Sequence, residues 1–402
     1  MLQNKTGDTH SGRSSAGPGV QELIGRVNWR TEGPKLLLLT CVLALAGMLV
    51  IGLWPFHSPR NHVTWLSGGN GLQIRRHGVV LSSGRFRDAD NSPDSPCSLE
   101  IWFEPSRTWD SASLLSFYAP ERRRQFSLLQ STTDLRLQSD ILEEHYQTLS
   151  SRLDVADIFW QGKPAFVTIT AKGGQTSVYL NGAPVMTTAS FPISSRDFAG
   201  RLIVGNSPRA GDNWRGQVRG LAVYDDALAP AQVRQDFETW SEKGRSDISA
   251  TDRPVALYRF DEHAGNVIHN QVPGGTDLYI PDHYVVVDQA FLRPFWVEYY
   301  PGWGYWKSVI LINVIGFMPL GFLFCAYFSL SGRIRRPALA TILLGFTVSL
   351  TIECLQAFLP TRDSGTTDLI TNTLGTCLGV WIYRWSFWKV LSARIWTRIV
   401  GF

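Results

Sequence analysis

This chain has little sulfur chemistry and little charge imbalance. Its five cysteines include four, Cys41, Cys325, Cys354 and Cys377, that fall inside apolar runs. Cys97 stands alone in the polar middle, so a disulfide framework is excluded and only a bridge between chains remains open to it. Lys and Arg number 38 against 34 Asp and Glu, a formal net charge of +4 over 402 residues. That excludes a nucleic-acid binder held by a broad basic field. Charge is scarcest in four stretches: Lys35–Trp54, Val309–Leu330, Pro337–Leu359 and Thr366–Trp385. The first, KLLLLTCVLALAGMLVIGLW, carries no charge after Lys35. About twenty residues at roughly 1.5 Å each match a bilayer core of roughly 30 Å. It is longer than a usual signal-peptide core, and no small-x-small cleavage site precedes Trp54-Pro55, so it reads as an uncleaved anchor.

What is abundant agrees with that. The 15 tryptophans lie largely beside apolar runs, where amphipathic rings favour membrane interfaces. Basic residues cluster at three places: Arg26, Arg30 and Lys35; Arg333, Arg335 and Arg336; and Arg384, Lys389, Arg394 and Arg398. With four crossings all three clusters fall on one side, predicting a multi-pass protein with both termini cytoplasmic. The organisation that follows is a disordered cytoplasmic segment 1–34, in which VQELIGRVNW reads as a short surface helix. A transmembrane helix over 35–54 comes next, then an extracytoplasmic region 56–305, three helices over 308–385, and a basic cytoplasmic tail 386–402. The fold class is thus a four-span α-helical membrane bundle with an extracytoplasmic all-β domain.

In that middle region SLEIWFEP places Leu99, Ile101 and Phe103 on one face, and FVTITA, SVYLNG, GRLIVGN and GQVRGLAVYD alternate likewise. Short strands punctuated by Gly-Gly, Asn-Gly and Pro predict an antiparallel sandwich or jelly roll. AKGGQTSVYLNG reads as a hairpin turning at Gly173-Gly174, and DALAPAQVRQDFETW as a short amphipathic helix carrying Val233, Phe237 and Trp240. These motifs, in this order over about 70–242, resemble the concanavalin A-like lectin/glucanase superfamily in its LamG-type form. PVALYRFDEHAGNVIHNQVPGGTDLYIP supplies added strands, within about 254–290. The resemblance implies carbohydrate or protein binding, sometimes with calcium, for which Asp88, Asp90 and Asp94 are one acidic loop without a recognisable ligand spacing. Trp102, Trp109, Trp160 and Trp214 are candidates either for stacking on sugar rings or for the core. A glycosidase needs carboxylates about 5–9 Å apart, whereas Glu100 and Glu104, four apart on one strand, lie about 13 Å apart. Binding is therefore favoured over hydrolysis.

The membrane segments hold polar side chains where lipid tolerates few. Glu353 and Gln356 precede the PTRDSG loop, with Glu353 roughly 9 Å inside the helix end; Asp368 and Asn372 follow it. Each pair shares a helical face, and Asn313 lies at a similar depth on another helix. Five polar groups from three helices are thus expected to meet beneath Arg362. Two readings stay open, a ligand site and plain helix glue with Asp368 as a cap. Gly375 and Gly379 form a small-xxx-small face; Gly316 and Gly321 serve the same packing, with Pro319 between them. The stretches NVIGFMPLGF, SLTIECLQAFLPTR and TDLITNTLGTCLG, over about 308–384, resemble the VanZ family of bacterial membrane proteins. The resemblance implies envelope biology in the bacterial cytoplasmic (inner) membrane, the family being named for a role in glycopeptide (teicoplanin) resistance. It highlights Asn313, Gly316, Pro319, Gly321, Glu353, Gln356, Arg362, Asp368, Asn372 and Gly375.

The expected function is a non-enzymatic envelope protein. Its outer domain binds a glycan or surface protein, and its bundle binds a lipid headgroup or lipid-linked saccharide. The alternatives are an intramembrane enzyme on a lipid-linked phosphosugar, with Glu353 and Asp368 as acid–base or ion-binding residues, and an oligomeric transporter.

Overall fold

Alternation along SLEIWFEP dictates which face of that strand is buried, because successive side chains on a strand point to opposite sides. In the computed structural model Leu99, Ile101 and Phe103 are all fully buried. The structure describes residues 33–86, 94–122, 124–142, 148–209, 211, 213–243, 254–296 and 303–400. The expected disordered N-terminus, apart from Gly33 and Pro34, lies outside these residues, as do Asp88 and Asp90 of the acidic loop.

The strands form two eight-stranded sheets. The first contains β1 (Val63–Trp65), β2 (Leu72–Ile74), β4 (Cys97–Pro105), β9 (Ala165–Lys172), β10 (Gln175–Leu180), β11 (Ala183–Thr188), β13 (Gly216–Tyr224) and β14 (Pro254–Tyr258). Its order is β1-β2-β13-β4-β9-β10-β11, with β14 also paired to β13. The second contains β3 (Val80–Ser82), β5 (Asp110–Ala119), β6 (Arg124–Thr132), β7 (Asp134–Leu142), β8 (Thr148–Val155), β12 (Arg201–Val204), β15 (Val267–Ile268) and β16 (Leu278–Tyr279). Its order is β15-β16-β3-β12-β5-β6-β7-β8. Every pairing between these named strands is antiparallel. The turn between β9 and β10 uses Gly173 and Gly174 at φ +59° and +76°, the pair of left-handed residues a tight hairpin needs.

Side chains from the facing sheets fill one core, with Leu99, Ile101 and Phe103 meeting Phe117, Phe126 and Leu128. Trp214 is wholly buried there. Its ring stands edge-on to Phe103 at 6.0 Å, and its Nε1 donates to Gln130 Oε1 at 3.2 Å, the partner a buried indole needs.

Both outer faces are partly covered. Over the first sheet lies helix α2 (Pro230–Lys243), whose Val233, Phe237 and Trp240 pack on Phe166, Tyr224 and Trp102. Gly220 sits directly under the Trp240 ring, where any Cβ would overlap it. This cover buries Glu100 completely, on the side of β4 that reads as polar in the sequence. Its carboxylate accepts hydrogen bonds from Thr168 Oγ1 at 3.1 Å and the Tyr224 hydroxyl at 2.9 Å. On the second sheet, Val79, Leu81, Tyr118 and Ile203 are covered by Tyr284, Val286 and Val287. The ion pair Arg209–Asp288 at 2.9 Å pins the same segment, called the strap below.

The remaining helices are α1 (Gly33–Leu53), α3 (Trp303–Ser331), α4 (Pro337–Gln356) and α5 (Thr366–Val400). Among the described residues three segments are long and apolar enough to cross a membrane: Gly33–Leu53, Ile310–Ser331 and Pro337–Gln356. Three of the four expected spans meet that measure. The segment 366–385 is helical, but Thr366, Thr367, Asp368, Thr371, Asn372 and Thr373 make its first turns polar. It also continues to Val400 as one helix through the region read from the sequence as a separate tail. Chain contacts divide the molecule into a helical unit, Met1–Gly52 with Gly302–Leu350 and Asp368–Phe402, and a sandwich unit, Leu53–Pro301 with Thr351–Thr367.

Candidate functional site

In the helical unit, helices α3 and α5 approach closely at small residues. A Cβ on Gly375 would strike the Val314 carbonyl, one on Gly379 the Met318 carbonyl, and one on Gly321 the Thr376 carbonyl. Gly345 makes a further contact, against the Thr376 side chain, that the sequence reading missed. Gly316 differs: among the described residues nothing lies within 4 Å of where its Cβ would be. The packing role read for Gly316 is therefore corrected. It lies five residues before Gly321, and an offset of five is about 140° around a helix, so the two do not share a face. Pro319 lies inside α3 and removes one backbone donor from it.

This close packing brings polar side chains together. Asn313 Nδ2 donates to Asp368 Oδ1 at 2.7 Å and to Thr371 Oγ1 at 3.1 Å, so α3 and α5 are joined through these side chains. Asp368 also lies in the first turn of α5, where a carboxylate favours the helix dipole. Asn372 is 5% exposed, and its Nδ2 donates to Ser349 Oγ at 3.0 Å. Its Oδ1 is buried with no hydrogen-bond partner. Burying an amide oxygen without a partner costs about 1–3 kcal/mol. Ser349 and Thr371 were not singled out from sequence, because Ser and Thr are ordinary in membrane helices.

Glu353, Gln356 and Arg362 belong to the sandwich unit. Glu353 is 1% exposed, and its Oε2 accepts from the Gly365 backbone N–H at 2.9 Å. The carboxylate thus holds the far end of the loop that leads to α5. Gln356 is buried at the end of α4. Arg362 directs Nε and Nη2 onto one acceptor, the Trp54 carbonyl, at 3.1 and 2.7 Å. The strap reaches this loop as well. Gln289 Nε2 donates to the Arg362 carbonyl at 2.8 Å. Arg293 N donates to the Ser364 carbonyl and Thr366 N to the Arg293 carbonyl, at 2.9 and 2.8 Å.

On the sandwich itself the four tryptophans separate. Trp214 is core, and Trp102 is half-buried with the Arg219 guanidinium 5.6 Å from its ring centre. Trp109 and Trp160 are 68% and 65% exposed and are available for stacking. Their loops touch, since a Cβ on Gly162 would lie 3.0 Å from Thr108 Cγ2. Asp94 is exposed, and among the described residues no group of three or more His, Cys, Asp or Glu side chains is placed to hold a metal ion.

With this geometry in hand, the comparisons fall into two regions. Residues 81–234 match the concanavalin A-like lectin/glucanases superfamily, a β-sandwich class that agrees with the two sheets. Residues 258–389 match the VanZ/LLP1 family. The chain therefore joins a lectin-like sandwich to a VanZ-like region, and its apolar helices fit a membrane protein. No curated protein matched. Among solved structures, botulinum neurotoxin type C, whose cell entry depends on interaction with two ganglioside molecules, is 15% identical over 45% of this chain and 45% of that one, at a TM-score of 0.34. Domain 4 of AbnA, an extracellular arabinanase from Geobacillus stearothermophilus in complex with arabinotriose, is 16% identical over 44% of this chain and 86% of that one, at 0.33. A putative carbohydrate binding protein from Bacteroides ovatus is 12% identical over 58% and 63%, at 0.33. The chain spans less than half of the toxin chain it matches. The sandwich assignment rests on the strand order, not on these likenesses.

Proposed function

We propose that this is a bacterial envelope protein of the cytoplasmic (inner) membrane, with its sandwich outside and both termini inside. Helix α5 serves as a fourth, polar-faced crossing. The helical unit binds a lipid headgroup or lipid-linked saccharide at the outer leaflet, and the sandwich binds a glycan or surface protein.

One observation carries the reading: the buried Asn372 side-chain oxygen, without a partner, beside the hydrogen bonds that Asn313 and Asn372 donate to Asp368, Thr371 and Ser349. An amide oxygen in that state suits a hydroxyl or amide donor from a ligand. Glu353 and Asp368 each accept a hydrogen bond from an N–H group, the bonding of an anchor, so binding has more support than acid–base catalysis.

The test is native mass spectrometry of the full chain released from native membranes, wild type against Asn372→Leu. A hydrogen bond between membrane helices contributes about 1–2 kcal/mol in model peptides, so retention of a bound lipid or lipid-linked saccharide is expected to fall about 5- to 30-fold. Equal retention by the two proteins refutes the assignment.

A further inference from the structure

The sandwich unit contains a cavity of about 400 Å³ that neither family match assigns. It lies where four pieces of chain converge: the Arg76–His77 turn between β2 and β3, the start of β5 at Asp110 and Ser111, the β12–β13 connection with Asn213 and Arg215, and the loop after α4 with Thr361 and Asp363. Tyr284 of the strap forms part of its wall, and the Tyr284 hydroxyl is held by Asn206 Nδ2 at 2.8 Å. The volume is in the usual range of small-molecule sites, about 300–1,000 Å³, but the lining is polar where such sites are mostly apolar.

The charges in this lining are unequally satisfied. Asp110 already has Arg107 at 3.9 Å and the Ser111 N–H at 3.0 Å, and Asp363 is exposed. Among the described residues neither Arg76 nor Arg215 forms an ion pair. The Nε of Arg215 and the Oγ1 of Thr361 are both buried without a hydrogen-bond partner. His77 registers the resulting field. Burial, then Arg76, His62 and Arg215, hold its imidazole below the usual 6.5. Burial, the largest cause, disfavours charge of either sign; the smaller contributions of Arg76 and Arg215 are the part that favours an anion.

From this geometry we infer that the cavity binds a phosphate-bearing polyol or saccharide, with Arg76 and Arg215 on the phosphate and Asn213, Ser111, Thr361 and Asp363 on its hydroxyls. A phosphate offers separate oxygens to two guanidinium groups at once, which a single carboxylate does less well. The carboxylate of Asp363 accepts from sugar hydroxyls, a role that an inorganic anion does not fill. The site uses no residue of the helical network, so loss of binding here and loss of lipid retention through Asn372 are separate results.

The experiment is calorimetric titration of the full chain in phosphatidylcholine nanodiscs with sn-glycerol 3-phosphate, with glycerol as the uncharged control. Saturable binding is expected for the phosphate and none for glycerol. Arg215→Gln should weaken binding by about ten-fold or more, as loss of a charge-assisted pair does, and Arg76→Gln with Arg215→Gln should abolish it. Arg215→Lys keeps the charge and should retain part of the affinity. Unchanged thermal unfolding in each variant separates loss of the site from loss of the fold. Repeating the titration in nanodiscs containing phosphatidylglycerol distinguishes the sources. Weakened binding of the soluble probe identifies a lipid headgroup as occupant, and unchanged binding identifies a soluble phosphate ester. No saturable binding in phosphatidylcholine nanodiscs, or binding that survives loss of both arginines, overturns the proposal.

Discussion

Replacing Trp240 tests how the α2 cover holds the outer sheet. The ring is 2% exposed. It stands at 6.2 Å from Trp102 and 5.4 Å from Phe166, and it rests on Gly220, whose missing side chain makes room for it. Truncating a buried Trp to Ala costs about 3–5 kcal/mol through lost transfer energy and the cavity left behind. Aromatic pairs of this kind add about 0.5–1.5 kcal/mol beyond buried area, and loss of the buried, unpartnered Nε1 offsets a similar amount, which keeps Trp240→Ala within that range. Trp240→Phe behaves differently. The indole Nε1 is buried without a hydrogen-bond partner, so removing it relieves about 1–3 kcal/mol of desolvation, which offsets much of the lost packing. The expected order is Phe within about 1.5 kcal/mol of wild type and Ala far below. Pulse proteolysis of the full chain across a urea series measures it, and with a slope of about 2–3 kcal/mol per molar Trp240→Ala should lower the sandwich midpoint by about 1–2 M. A Trp240→Ala midpoint within experimental error of wild type, or a Phe variant as unstable as the Ala variant, refutes the account.

Other outcomes follow from features already described. Gly375→Val and Gly379→Val should disrupt the α3–α5 contact and lower the melting temperature of the detergent-solubilised chain, while Gly316→Ala should leave it unchanged; size exclusion after heating reports both. Glu353→Gln keeps an oxygen that accepts from Gly365 N–H and should behave as wild type, whereas Glu353→Ala strands that donor at a cost of about 1–3 kcal/mol. Urea unfolding compares the pair, and equal stability of all three proteins discards the loop-anchor role. His77 binds its proton less readily folded than unfolded, so the unfolded state takes up more protons as pH falls. Its effect is absent well above 6.5, and stability declines as pH drops through 6.5 towards the lower folded value. His77→Gln should flatten the unfolding midpoint over that window, and an unaltered profile removes the electrostatic argument.

Much of this architecture was legible in the sequence for definite reasons. Period-two alternation in SLEIWFEP identified the face of β4 that meets the core between the sheets. The turn at Gly173-Gly174 was equally readable, because few residues other than glycine take φ values of +59° and +76° in succession. The Asn313–Asp368 pairing could be anticipated from helical depth. Glu100 could not be placed, because its burial depends on a helix more than a hundred residues away. Trp109, Trp160 and Trp214 look alike as letters and differ only in which loop or sheet face carries them. Gly316 and Gly321 share one motif, yet only Gly321 touches a neighbouring backbone. The cavity at Arg76 and Arg215 was invisible because it draws its residues from five separated segments.

The strap carries a consequence for how this chain tolerates change. It holds the loop after α4 mainly through main-chain groups, at Arg293, Ser364 and Thr366, and through Gln289 on backbone carbonyls. Such bonds are indifferent to the side chains that the loop displays. Substitution at Thr361 or Asp363 therefore alters the chemistry facing the cavity while the loop's course stays fixed. The segment works as an interchangeable faceplate, so recognition can be rewritten at two positions without redesign of the sheets behind it.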